Sequence, residues 1–118
     1  PSGMPGVQTL LPIMLNHVNE GRLTLNQLIN YVCENPINIF GIKNKGFIKE
    51  GYDADFTIVD MNKIIEIKNE NIESKCKWSP FNGDKFKGAP QATIINGEIK
   101  MKDGKIIGEP LGQPLVFN

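Results

Sequence analysis

The spacing of apolar residues changes once along this chain, and that change bounds what it can fold into. Up to about residue 45 the apolar side chains recur at helical intervals. From Gly46 onward they alternate and are cut by turn-forming pairs. Leu10, Leu11, Met14, Leu15 and Val18 form the first helical set, with Gly21 as its stop. Thr24 and Gln27 have the spacing of a capping box, and Leu25, Leu28, Ile29 and Val32 then fall at i, i+3, i+4 and i+7. Asn35-Pro36 is expected to end that helix and open a short one, with Asn35 as N-cap, Pro36 in the first turn and Gly41 as terminator.

Beyond Gly46 the run Ala54–Asp60 reads as a strand, with Phe56, Ile58 and Asp60 alternating against Thr57 and Val59, and Ile64–Ile67 reads as a second, separate one. Ala92–Ile95 and Glu98–Met101 flank Asn96-Gly97, a pair that supplies two positive φ angles and so predicts a type I′ hairpin. Asp103-Gly104 turns the chain toward Lys105-Ile106-Ile107, and the tail from Gly108 to Asn118 is expected to lie as an extended surface strap. Two to three helices followed by short antiparallel strands is an α+β pattern, not a βαβ repeat.

Two amphipathic helices and a few short strands make a small core for 118 residues, so the helical stripes are expected to pack on a surface outside this chain. The opening Pro1-Ser2-Gly3, with no initiator methionine and no signal-peptide pattern, gives the same expectation of a back portion of something larger. Thirteen basic residues balance thirteen acidic ones, which argues against a nucleic-acid partner. No apolar run approaches the ~20 residues of a membrane span, so no membrane partner is expected. Two cysteines are too few for a disulfide framework and fit a reducing, cytoplasmic location.

Reactive constellations are sparse. His17 is the one histidine, with only Glu20 at i+3, and a lone ligand cannot fix a metal; it reads as structural or surface. Cys33 and Cys76 sit in no C-x-x-C pair; Lys75 and Lys77 flank Cys76, which reads as part of a solvated loop. The opening loop is the better candidate. Gly3 and Gly6 allow close backbone approach to a ligand, and a helix N-terminus follows that favours an anion such as a carboxylate. The G-K-[ST] signature of a phosphate loop is absent.

Ser2-Gly3-Met4-Pro5-Gly6-Val7-Gln8-Thr9-Leu10-Leu11-Pro12 resembles the loop and helix that follow the last barrel strand in bacterial dihydroorotases. Gly21-Arg22-Leu23-Thr24 and Glu34-Asn35-Pro36 continue the likeness. Gly46 to Asp55 resembles a segment shared across the amidohydrolase superfamily, and Ser74-Lys75-Cys76-Lys77-Trp78-Ser79-Pro80-Phe81-Asn82-Gly83 is similar to the dihydroorotase version of its segment. The resemblance implies a distorted TIM barrel plus a small β-sandwich. Residues 1–45 would be the last barrel helices, with a substrate loop at 1–6, and 46–118 the C-terminal part of the sandwich with an extended tail. It implies one or two zinc ions held by residues upstream of Pro1, and reversible interconversion of N-carbamoyl-L-aspartate and L-dihydroorotate in pyrimidine synthesis. Ser2 and Gly3 would border that small-molecule substrate through main-chain groups. No metal ligand and no catalytic residue is expected in this segment, which alone would be inactive.

The implied partners are the upstream barrel portion, a second copy in a homodimer, or aspartate transcarbamoylase. Allantoinases and hydantoinases are the nearest rival families; they usually carry Glu-Arg where Gln8-Thr9 stands here, so Thr9 favours dihydroorotase while Gln8 departs from the commoner Glu. A non-catalytic dihydroorotase-like scaffold and an independent binding module are the further readings. Trp78 and Phe81 are expected to be core or interface anchors.

Overall fold

A computed structural model describes residues 3–118. Helix α1 covers Leu10–Asn19, α2 Leu25–Ile29 and α3 Asn35–Phe40, with a π-helical turn over Asn30–Glu34 between the last two. Strand β1 spans Phe56–Glu66, a 3₁₀ turn Asn69–Asn71, β2 Lys85–Ile95, β3 Glu98–Lys102 and β4 Lys105–Ile106. The strands form one sheet in the order β1-β2-β3-β4. Helices precede antiparallel strands, so the described residues are α+β. Two compact units divide the chain: the stretch ending at Arg22 with Asp60–Ala89, and Leu23–Val59 with Pro90–Asn118.

In the first unit α1 lies on the backbone of β2. A Cβ added at Gly88, where φ is +107°, would come within 2.7 Å of the Leu15 Cβ. Only glycine permits both that dihedral and that approach. Leu15 is 1% exposed as a result, and Pro12, Ile67, Ile72 and Ala89 are buried with it. Polar anchors reinforce the packing. Asn19 Nδ2 donates to the carbonyls of Met61 (2.9 Å) and Lys87 (2.8 Å), and the Lys87 N–H donates to Asn16 Oδ1 at 2.9 Å. The segment from Ile67 to Asp84 closes on itself: the Gly83 N–H donates to the Ile67 carbonyl, the Asn69 N–H to Asn82 Oδ1, and the Ser79 N–H to Asn69 Oδ1. Phe81 meets Phe86 edge-on, centroids 6.1 Å apart.

In the second unit the capping box forms as the sequence predicts. The Gln27 N–H donates to Thr24 Oγ1 at 3.1 Å, and the Thr24 N–H to Gln27 Oε1 at 2.8 Å. The expected break at Asn35-Pro36 does not occur. Asn35 is itself helical (φ −64°, ψ −45°) and caps nothing; its N–H donates to the Asn30 carbonyl, an i→i−5 bond. Pro36 explains the geometry. Within an uninterrupted α-helix its ring would strike the carbonyl four residues back, and its missing N–H would leave that carbonyl unpaired. One wide π turn absorbs the conflict and the chain runs on as α3. Gly41 then stops α3 in the left-handed conformation (φ 62°), and the Ile42 N–H closes back on the Ile37 carbonyl at 3.1 Å, as in a Schellman motif.

Asn96 (φ 50°) and Gly97 (φ 81°) make the expected hairpin turn, and Asp103-Gly104 (φ 49° and 78°) make the next. Ile95 faces Glu98 and Ala92 faces Lys102, with a bulge between Thr93 and Ile94. Two strand expectations need correction. The two short runs at 54–60 and 64–67 are one eleven-residue strand, β1; the Asp60 carboxylate takes the Asn62 N–H at 2.9 Å, so that backbone donor is satisfied locally and the strand continues. Strand β2 begins seven residues before Ala92, through Gly88 and Pro90, residues that normally argue against a strand interior. The tail is indeed a strap: the Lys43 N–H donates to the Val116 carbonyl (2.8 Å), Phe117 bridges Ile42, and the Asn118 N–H reaches the Gly41 carbonyl (2.8 Å).

Candidate functional site

The loop before α1 is the part of the first unit built for backbone exposure. Thr9, 2% exposed, turns its hydroxyl onto the Gly6 carbonyl at 3.3 Å, and the N–H groups of Thr9 and Leu10 converge on the same oxygen at 3.2 and 3.0 Å. Gly6 thus ends the loop and starts the helix. Gly3 is exposed with nothing within 4 Å of where a Cβ would lie, and Met4 and Val7 are exposed beside it. Of the two expected substrate-bordering residues, Gly3 stands free at this surface; Ser2 lies outside the described residues.

Sequence reasoning treated Gln8 only as a departure from a commoner Glu. Its side chain is a two-point clamp. Nε2 donates to the Asn71 carbonyl at 2.8 Å, and Oε1 accepts the Glu73 N–H at 2.9 Å. Only an amide matches both groups; a carboxylate would set negative charge against the Asn71 carbonyl. Nothing local could have announced this, because the partners lie 63 and 65 residues away.

The Arg22 guanidinium donates to His17 Nδ1 at 2.9 Å and pairs with Glu20 at 2.9 Å, an exposed cluster at the C-terminal end of α1. Cys76 is exposed; the Ser74 hydroxyl at 3.4 Å, then the Trp78 backbone, hold its thiol below the ordinary value, with Lys77 a lesser influence. Burial, with the Glu34 charge as a lesser cause, pushes the Cys33 thiol up. In the second unit, Lys45 bridges Asp53 (2.9 Å) and Asp55, and Asp55 also takes the Asn96 N–H at 2.9 Å. These contacts hold the Asp55 carboxyl below and the Lys45 ammonium above their usual values, and they tie the Asp53–Asp55 turn to the hairpin tip. An apolar pocket of about 500 Å³ lies between β2–β4 and residues 107–112; Lys100 and Glu109 are its charged residues, and Lys100 pairs with Glu98 at 3.2 Å.

Among the described residues no group of three or more His, Cys, Asp or Glu side chains is placed to hold a metal ion. The donor set present does not fit a catalytic zinc, which takes three protein ligands. Among the described residues no helix is long and apolar enough to cross a membrane.

Residues 6–100 match the model of the Amidohydrolase family. Dihydroorotase from Pyrococcus furiosus is 46% identical over 98% of this chain and 28% of its own length. Allantoinase from Desulfitobacterium hafniense is 38% identical over 96% of this chain and 25% of its own. L-hydantoinase from Arthrobacter aurescens superposes with a TM-score of 0.86 at 38% identity, over 91% of this chain and 24% of that one. The chain therefore spans about a quarter of the length of the relatives it matches. With a family match across most of its length, the chain belongs to the amidohydrolase family.

Proposed function

We propose that these residues are part of a dihydroorotase, a cyclic amide hydrolase that interconverts L-dihydroorotate and N-carbamoyl-L-aspartate. The observation that carries the reading is 46% identity to a dihydroorotase across 98% of this chain. In this reading residues 1–45 are the last helices of a barrel and 46–118 part of a β-sandwich with its tail. In the same reading the reactive groups, with one or two zinc ions, belong to a larger body. The bare stripe of α2 and the π turn supports such a body: Leu25, Ile29 and Val32 are 40–41% exposed. The contribution of this chain to catalysis is then positional. The main chain at Ser2 and Gly3 borders the substrate, and the Gly6–Leu10 turn fixes where that border lies.

Superposition on L-hydantoinase favours a second reading, a sister cyclic amidase. Assay of the whole protein on dihydroorotate, allantoin and hydantoin separates the two. Turnover of dihydroorotate is expected; turnover of allantoin or hydantoin without it overturns the first reading in favour of the second. Inertness toward all three would point to a scaffold.

A further inference from the structure

We infer that Gln8 is a positioning residue that sets substrate affinity by holding the opening loop to the backbone of the Asn71–Glu73 segment. The inference rests on the dihydroorotase reading, since it is that reading which places substrate against Gly3. Its structural part stands without it.

Four observations join here. The loop from Gly3 to Val7 has little packing of its own: Gly3, Met4 and Val7 are exposed, Val7 at 98%. At its helix end the loop is fixed by Thr9 and the shared Gly6 carbonyl. The adjoining long-range tie is Gln8, whose amide spends both its donor and its acceptor on main-chain groups of one segment. That segment is itself fixed, because the Ile72 side chain is 4% exposed and the Lys77 ammonium donates to the Ile72 carbonyl at 2.9 Å. A two-point contact fixes direction as well as distance. Gln8 therefore transmits the position of a packed segment to a loop with few contacts.

The consequence is specific. If the loop samples positions away from the substrate, apparent affinity falls by the fraction of time it is in place, while the bound complex reacts as before. A substitution at Gln8 thus raises KM and leaves kcat unchanged. Loss of general stability would instead lower the active fraction, reducing kcat at constant KM.

The test uses the whole protein with Gln8→Glu and Gln8→Met. Gln8→Glu keeps the acceptor for Glu73 and loses the donor to Asn71; Gln8→Met removes both at similar length. With exposed hydrogen bonds each worth a modest amount, KM for dihydroorotate should rise roughly three- to tenfold with kcat within about twofold. Amide hydrogen exchange at Gly3, Met4, Gly6, Val7 and Gln8 and at Glu73 should quicken in Gln8→Met, while α1 stays protected. Unchanged KM, or a fall in kcat alone, overturns the positioning role. Unchanged exchange overturns the clamp itself. If the unaltered protein turns over no dihydroorotate, the dihydroorotase reading fails, and the exchange measurement still decides whether Gln8 holds the loop.

Discussion

Helix α1 and the α2–α3 segment carry similar apolar stripes, yet the structure treats them differently. Leu15 and Pro12 of α1 are buried, and Asn16 and Asn19 of the same helix reach main-chain groups of β1 and β2. In α2 and the π turn only Leu28 is buried, while Leu25, Ile29, Tyr31 and Val32 are 40–56% exposed. A stripe states a demand for burial. Whether the chain meets it depends on a complementary strand backbone with room for the helix, and Gly88 provides one for α1.

The largest effect should come from removing that room. Gly88→Ala places a methyl group against Leu15 at a positive φ, and strain plus overpacking should cost about 2–4 kcal/mol in urea unfolding. An unchanged midpoint would contradict the packing of α1 on β2. The contrast between the helices can be sharpened with Leu15→Ala and Ile29→Ala. The first should cost about 2–4 kcal/mol and the second less than about 1 kcal/mol in the 118-residue chain. In the whole protein the Ile29→Ala cost should climb toward that of Leu15→Ala if a larger body covers the stripe; equal small costs in both contexts would argue that the stripe stays bare.

Smaller is Asn19→Ala, which deprives two carbonyls of their donor and should cost about 1–2 kcal/mol, with faster amide exchange along α1. The smallest effect concerns the second unit. Asp55 titrates low in the folded chain, so its contribution is fully present above its unfolded pKa, about 3.9, and is lost as pH falls through the folded value. Lys45 is raised, so its share is present below its unfolded pKa, about 10.4, and is lost as pH climbs through the folded value. Both groups are partly exposed and solvent screens them, so Asp55→Asn should cost about 1 kcal/mol or less and flatten the acid limb of a stability-versus-pH curve. An acid limb that survives the substitution would place the titration elsewhere.

What the sequence disclosed divides by range. Thr24 with Gln27, Asn96-Gly97, Asp103-Gly104 and Gly41 were readable because each device closes within a few residues. The π turn was not, because Asn35-Pro36 is an ordinary helix start and nothing in its letters says that a wider turn can carry proline through. The extent of β2 was hidden for a related reason: Gly88 and Pro90 are uncommon inside a strand, and what makes the glycine fit, α1 lying on it, is long-range. At the candidate site, Gly3 and Gly6 were visible as a permissive loop, whereas Gln8, Asn16 and Asn19 carry no periodic signal and act across more than forty residues.

The single extra residue in the Asn30–Glu34 turn also sets a rotational phase. Each residue of an α-helix advances about 100°, so every side chain from Asn35 onward points about a quarter-turn away from where an unbroken helix would carry it. Ile37 owes its place against Gly46 to that offset. Deleting one residue between 30 and 34 would leave composition and hydropathy almost untouched, yet swing Ile37 off its glycine and drive Pro36 into a regular helix. Length, more than residue identity, is what this stretch has to preserve.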